Sequence, residues 1–140
     1  MANTMYPLGL EKFLDGEMGD LTTVVVKLMA VKTGGTYSAA HDYMNDVEAN
    51  RYVGTTDQTL SNKTVASGVF DNTVDITYSS LALDASNDII AFILYVDTAG
   101  ASSTDPLIAW IDTDGGGPIS ITPNGGDVIF SPNASGIFSL

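Results

Sequence analysis

Eight consecutive residues, Ile89 to Val96 (IIAFILYV), carry no charge and no alternation of polar with apolar side chains, and Asp88 and Asp97 close the run at its ends. The run is far too short to cross a bilayer as a helix, which takes about 20 apolar residues. Its Ile, Phe, Tyr and Val content suits extended backbone instead. A strand sends successive side chains to opposite faces of its sheet. A run that is apolar on both faces therefore predicts a central strand covered from both sides.

Other segments repeat the strand signal. Thr22 to Val31 (TTVVVKLMAV) is dense in β-branched residues, and Leu107 to Thr113 (LIAWIDT) predicts a second core strand. Val74 to Tyr78 alternates Val74, Ile76 and Tyr78 with Asp75 and Thr77, the pattern of a strand with one wet face. Ile119 to Thr122 and Val128 to Phe130 are shorter candidates. The breaks carry turn chemistry: Gly34-Gly35, Ser67-Gly68, Asp71-Asn72, Thr98 to Gly100, Asp114 to Pro118 and Asn124 to Asp127. Two short helices are predicted early. Leu8 to Leu14 follows Pro7 and sets Leu10, Phe13 and Leu14 on one face. Ser38 to Val47 opens on a capping serine and spaces Ala40, Tyr43, Met44 and Val47 at helical intervals.

The whole predicts one mainly β domain over residues 1–140, an antiparallel β-sandwich with one or two short helices near the N-terminus. Residues 1–14 are expected to form an N-terminal arm or short helix, and residues 131–140 a C-terminal arm or last strand.

Charge narrows the function. From Thr64 to Leu140 there is no lysine, arginine or histidine, while nine aspartates and no glutamate occur. The net charge of −12 divides into −3 before Thr64 and −9 after it. Such a field repels nucleic acid and anionic membrane surfaces and calls for neutral or basic partners. Only 16% of residues are charged, so Ser, Thr, Asn and Gly supply much of the polarity, as in extracellular β proteins and virion proteins. Without cysteine there is neither a disulfide nor a thiolate metal site. Met1 to Met5 lacks the basic start of a signal peptide, so a soluble product of the host cytoplasm is expected.

Candidate sites each have a plainer reading. Asp112-Thr113-Asp114-Gly115 opens like a calcium loop, but glycines and Pro118 follow and Pro123 stands where a bidentate glutamate is needed. A turn at a strand end accounts for it, leaving Asp112 and Asp114 as weak metal candidates. His41-Asp42, with Asp46 one turn away, has the elements of an oriented base. No serine nearby has a nucleophile's setting, and a packing role is the simpler one. The glycine clusters lack the Lys-Ser/Thr and helix start that phosphate cradling requires. Asn62-Lys63-Thr64 and Asn133-Ala134-Ser135 fit the glycosylation pattern, which carries no weight without secretion. Trp110, Phe92 and Tyr95 fit core packing better than a sugar platform. No enzyme activity and no cofactor are expected.

A run of landmarks resembles the small structural proteins encoded in the gene clusters of tailed bacteriophages: Met1 to Thr4 with Tyr6-Pro7 and Leu10, Lys27 to Val31, and Tyr37 to Tyr43. The likeness continues through Asn62 to Val65, Gly68 to Asp71, Leu107 to Asp112 and Thr122 to Asp127. The resemblance implies a virion component, and most of all a capsid decoration, or cement, protein that binds and reinforces the outer surface of the head. Its implied partners are the major capsid protein or other virion proteins and further copies of itself, as a trimer or dimer, with no nucleic acid and no membrane. Contacts are expected from Met5, Tyr6, Pro7, Leu8, Leu10 and Phe13 at one end and from Ile137 and Phe138 at the other. The aspartate-lined part after Thr64 is expected to be the body facing solvent, and the N-terminal third to face the assembly. A tail, neck or baseplate component is the alternative, and a carbohydrate- or receptor-binding module a more distant one.

Overall fold

The computed structural model describes residues 3–139; Met1, Ala2 and Leu140 of the two anticipated contact segments lie outside them. The chain opens with β1 (Thr4–Met5) and α1 (Pro7–Leu14), then β2 (Val26–Lys32), β3 (Gln58–Thr59), β4 (Lys63–Ala66), β5 (Val69–Asn72) and β6 (Ile76–Tyr78). It continues with β7 (Ile89–Val96), β8 (Leu107–Ile111), β9 (Thr113–Asp114), β10 (Gly117–Pro118), β11 (Val128–Phe130) and β12 (Phe138–Ser139). The fold is mainly β, and every strand pair is antiparallel.

The principal sheet runs β1-β8-β7-β2-β3, so the apolar run of β7 lies at its centre. Both faces of that sheet are covered. On one, Val26, Leu28 and Ala30 of β2 with Phe92, Leu94 and Val96 of β7 meet Phe70, Ile76, Tyr78 and Val128 from a second layer. That layer consists of two small sheets, β12-β5-β4 and β11-β6. On the opposite face, Met29, Val31, Ile93, Tyr95, Leu107 and Trp110 pack with Tyr6, Met44 and Val47. Each large apolar side chain removed from water in this way contributes about 1.5–3 kcal/mol. The two-faced covering that β7 requires is thus split between a true sheet layer and a strap of irregular chain.

The strap corrects one sequence expectation. Ser38 to Val47 is not an α-helix: it holds one 3-10 turn, Met44–Asp46, and a second, Glu48–Asn50, follows just beyond it. The reason is competition for backbone groups. The Asp46 carboxylate takes the amide of Asp42 at 3.0 Å, Met44 donates to the Asp105 carbonyl at 2.9 Å, and Leu107 donates to Asp42 at 2.9 Å. The backbone is spent on neighbours across the fold, although Met44 and Val47 are buried as the spacing demands.

Helix α1 forms where predicted, but its inner face runs through the buried Gly9, while Leu14 is 73% exposed. Strand β2 begins four residues later than Thr22, because the Asp20 carboxylate draws the Thr22 amide and hydroxyl into a turn. Val74 is left out of β6, and Ile119 to Thr122 makes only a bridge, Ile121 to Ile89. The cation-free part is not a separate body either. Strand β2, from the first third of the chain, lies beside β7, and Lys27 pairs with Asp97 at 2.6 Å across the division.

Candidate assembly surface

The two ends of the chain, expected as an arm or short helix and as an arm or last strand, form α1 and β12 and meet. Thr4 and Met5 pair with Trp110 and Ala109 of β8, and the Asn3 side chain locks the start. Its Oδ1 accepts the amides of Asp112 and Thr113 at 2.9 and 3.0 Å, and its Nδ2 donates to the Thr113 carbonyl. From the far end, Phe138 pairs with Phe70 in β5 and stacks on its ring at 5.1 Å. Met5 and Phe13 then share one apolar joint with Phe138, Met18 and Ile108. Of the predicted contact residues, Tyr6 is fully buried and is an internal anchor rather than a contact. Pro7 is exposed, and Met5, Leu8, Leu10, Phe13, Ile137 and Phe138 are half-buried.

Beside this joint lies a groove of about 380 Å³. Phe92 and Ile111 of the principal sheet form its floor, Ile119 and Ile121 line one flank, and Ile129 and Phe130 of β11 line another. Asn3, Thr113, Ser131 and Asn133 give a neutral polar rim, and Asp114 is its charge. The groove is a gap in the second layer, between the bridge at Ile121 and β11. Nothing in the sequence announced it, because Phe92, Ile119 and Phe130 meet only through the fold. Among the predicted residues, only Ile137 and Asp114 line it.

The aspartates of the cation-free part are chiefly turn clamps. Asp71 takes the Asn72 amide, Asp84 that of Ser86, Asp97 that of Ala99, Asp105 that of Thr98 and Asp127 that of Ser80, each at 2.8 or 2.9 Å. Asp88 accepts the Thr122 hydroxyl, and Asp112 the Trp110 indole at 2.9 Å. Asp71, Asp84 and Asp97 reach a main-chain amide one or two residues on, which suits the short aspartate side chain, whereas Asp105 and Asp127 tie amides 7 and 47 residues away. The Lys27 ammonium, with the Ala99 amide, holds Asp97 below the usual carboxylate range. The Ser86 amide and the Asn87 side chain do the same for Asp84.

Asp112 and Asp114 flank the start of a tight hairpin. Gly115 and Gly116, with φ of 58° and 92°, make the two-residue turn that joins β9 to β10. Among the described residues no three His, Asp or Glu side chains gather as a metal site. His41 sits near Tyr6, ring centroids 6.4 Å apart, and its Nδ1 is buried without a hydrogen-bond partner among the described residues. Asp46, the expected orienting carboxylate, serves the amides of Asp42 and Tyr43 instead, and the first of these chiefly keeps its pKa low. Trp110 is 4% exposed and offers no platform to a sugar.

One polar cluster had no sequence signal at all. Arg51 grips both oxygens of Asp57 at 2.8 Å, and the Tyr95 hydroxyl donates to the same carboxylate at 2.8 Å. It fastens the segment between Arg51 and β3 to β7.

Compared with known proteins, the chain matches no family model, no curated protein and no solved structure. Among the described residues no helix is long and apolar enough to cross a membrane.

Proposed function

We propose that the chain is a structural virion protein that binds and reinforces the outer surface of a tailed-phage capsid. The sequence landmarks suggest the class. The observation that carries the reading is the meeting of the two chain ends: Met5, Phe13 and Phe138 share one joint, with Leu14 exposed at the end of α1 and the groove of Ile137 alongside. Half-buried apolar side chains from both ends of the chain thus gather at one joint, whereas Val25, Val53, Val65, Val74 and Leu83 are exposed outside the residues that line the joint and the groove. Most aspartates of the body, in contrast, are engaged with main-chain amides, hydroxyls or a cation. An acidic exterior keeps the free protein soluble before assembly, and repeated copies on a symmetric shell multiply weak contacts.

Mixing purified protein with tail-less heads tests this directly. Co-sedimentation to a fixed ratio and improved survival of heat or osmotic shock are expected, with weaker uptake of Leu14→Glu. Absence from heads together with recovery in tail fractions would overturn the capsid assignment in favour of a tail, neck or baseplate part.

A further inference from the structure

The gap in the second layer has an apolar floor beside a strand edge, the chemistry of a missing strand. Among the described residues strand β11 has β6 as its single sheet neighbour, so its other edge is unpaired there, and that strand lines the groove through Ile129 and Phe130. Ile129 is 55% exposed, a large apolar side chain left in water beside an unpaired edge. Soluble proteins ordinarily cover or charge such edges, because an open edge pairs with any extended chain that reaches it. Here neither a charge nor a proline lies within β11 itself.

We propose that the groove is an acceptor site for an extended segment of a different protein chain, which adds as a strand along β11 and closes the layer over Phe92 and Ile111. Main-chain pairing supplies the attachment and alternate side chains fill the apolar floor, the mode of strand addition. Charge specifies the donor: Asp114 stands on the rim and no cation occurs anywhere after Lys63, so a neutral or basic segment is accepted and an acidic one repelled. A second copy of this chain is a poor donor. Its described ends are already committed, Thr4 and Met5 to β8 and Phe138 to β5, and its surface carries the same excess of acid. The inference rests on the virion reading only for the source of the donor, a capsid subunit.

The probe is the peptide acetyl-Lys-Val-Thr-Val-Thr-Val-amide, titrated into the full-length protein and followed by backbone amide resonances. Shifts centred on Ile129, Phe130 and Ser131, with slowed hydrogen exchange there, are expected. Replacing the peptide lysine by glutamate should weaken binding about twofold to fivefold, the range of one exposed ion pair. Ser131→Trp, an exposed rim position, should abolish the shifts at unchanged Tm, and Ile119→Glu provides a second block if the first perturbs folding. Shifts scattered over the surface, or persisting in both variants, overturn the proposal. So does a concentration-dependent dimer that Ser131→Trp dissolves, which would assign the groove to self-pairing. On heads, Ser131→Trp should bind less than the unmodified protein; equal binding removes the capsid as donor. Failure of the unmodified protein to bind heads counts against the virion reading alone, since the peptide titration needs no head.

Discussion

Gly9 of α1 rests against the carbonyl group of Leu107 in β8, so closely that a Cβ atom at position 9 would overlap the carbonyl oxygen. The helix can lie on the sheet edge only because that side chain is absent, and the joint of Met5, Phe13 and Phe138 depends on the approach. Gly9→Ala favours the helix by propensity yet should lower stability by about 1–3 kcal/mol, the usual cost of overpacking. Urea unfolding would show it, and an unchanged midpoint would mean that the helix stands off from Leu107.

Tyr6 makes an opposite case. Its ring is fully buried against Tyr37 at 5.2 Å, but its hydroxyl has no hydrogen-bond partner among the described residues. An unmet buried hydroxyl costs about 1–3 kcal/mol. Tyr6→Phe should therefore leave stability unchanged or raise it, while Tyr6→Ala should lose about 3–5 kcal/mol through the cavity. A clear loss in Tyr6→Phe would reveal a partner for the hydroxyl.

Asp57 holds Arg51 and Tyr95 together with a side chain only 7% exposed. Asp57→Ala would strand a guanidinium and a phenol. A loss of about 2–3 kcal/mol is expected, below that of a fully buried pair because Arg51 stays one-third exposed. Thermal unfolding of Asp57→Ala and Tyr95→Phe would separate the tyrosine bond from the two arginine bonds, and the loss in Tyr95→Phe should be the smaller.

Burial raises the phenol pKa of Tyr6, Tyr78 and Tyr95, the first aided by Tyr37 and the other two by the Asp57 charge. A folded-state pKa above the unfolded value of about 10 means stability that is complete below pH 10 and lost as pH rises beyond it. Tyrosinate absorbance from these three should appear together with unfolding in an alkaline titration. Their gradual ionisation in a still-folded protein would contradict the burial.

The Asp127 carboxylate, which fixes the Ser80 amide at 2.8 Å, tests the clamp reading. Asp127→Ala should cost about 1 kcal/mol. Asp127→Asn should keep most of the bond and Asp127→Glu should not, although only Glu preserves the charge. The order of urea midpoints decides it.

Legibility differed by the kind of signal. β7 was readable because burial on both faces writes itself into consecutive residues. The Ser38 to Val47 segment was misread because periodicity reports which side chains face inward and is silent on where the amides bond, here to Asp46 and Asp105. The hairpin of β4 and β5 had its turn in view, Ser67 and Gly68 both at positive φ, but its strands are short and largely exposed on the β4 side. The contact residues at the ends were recognised as apolar without any sign that Tyr6 would be enclosed. The groove and the Arg51–Asp57–Tyr95 cluster join residues far apart in the chain, and composition cannot foretell such meetings.

The same duty of receiving main-chain amides falls elsewhere on uncharged side chains. Asn3 receives the amides of Asp112 and Thr113, Asn72 that of Asn62, Asn124 that of Gly126 and Asn133 that of Ser135. Where the role is to receive a main-chain amide, carboxylate and carboxamide thus serve alike, unlike Asp57 and Asp97, whose charge faces a cation. Charge and shape are separable at these positions: exchanging a carboxylate for a carboxamide raises the isoelectric point while the amide keeps its acceptor.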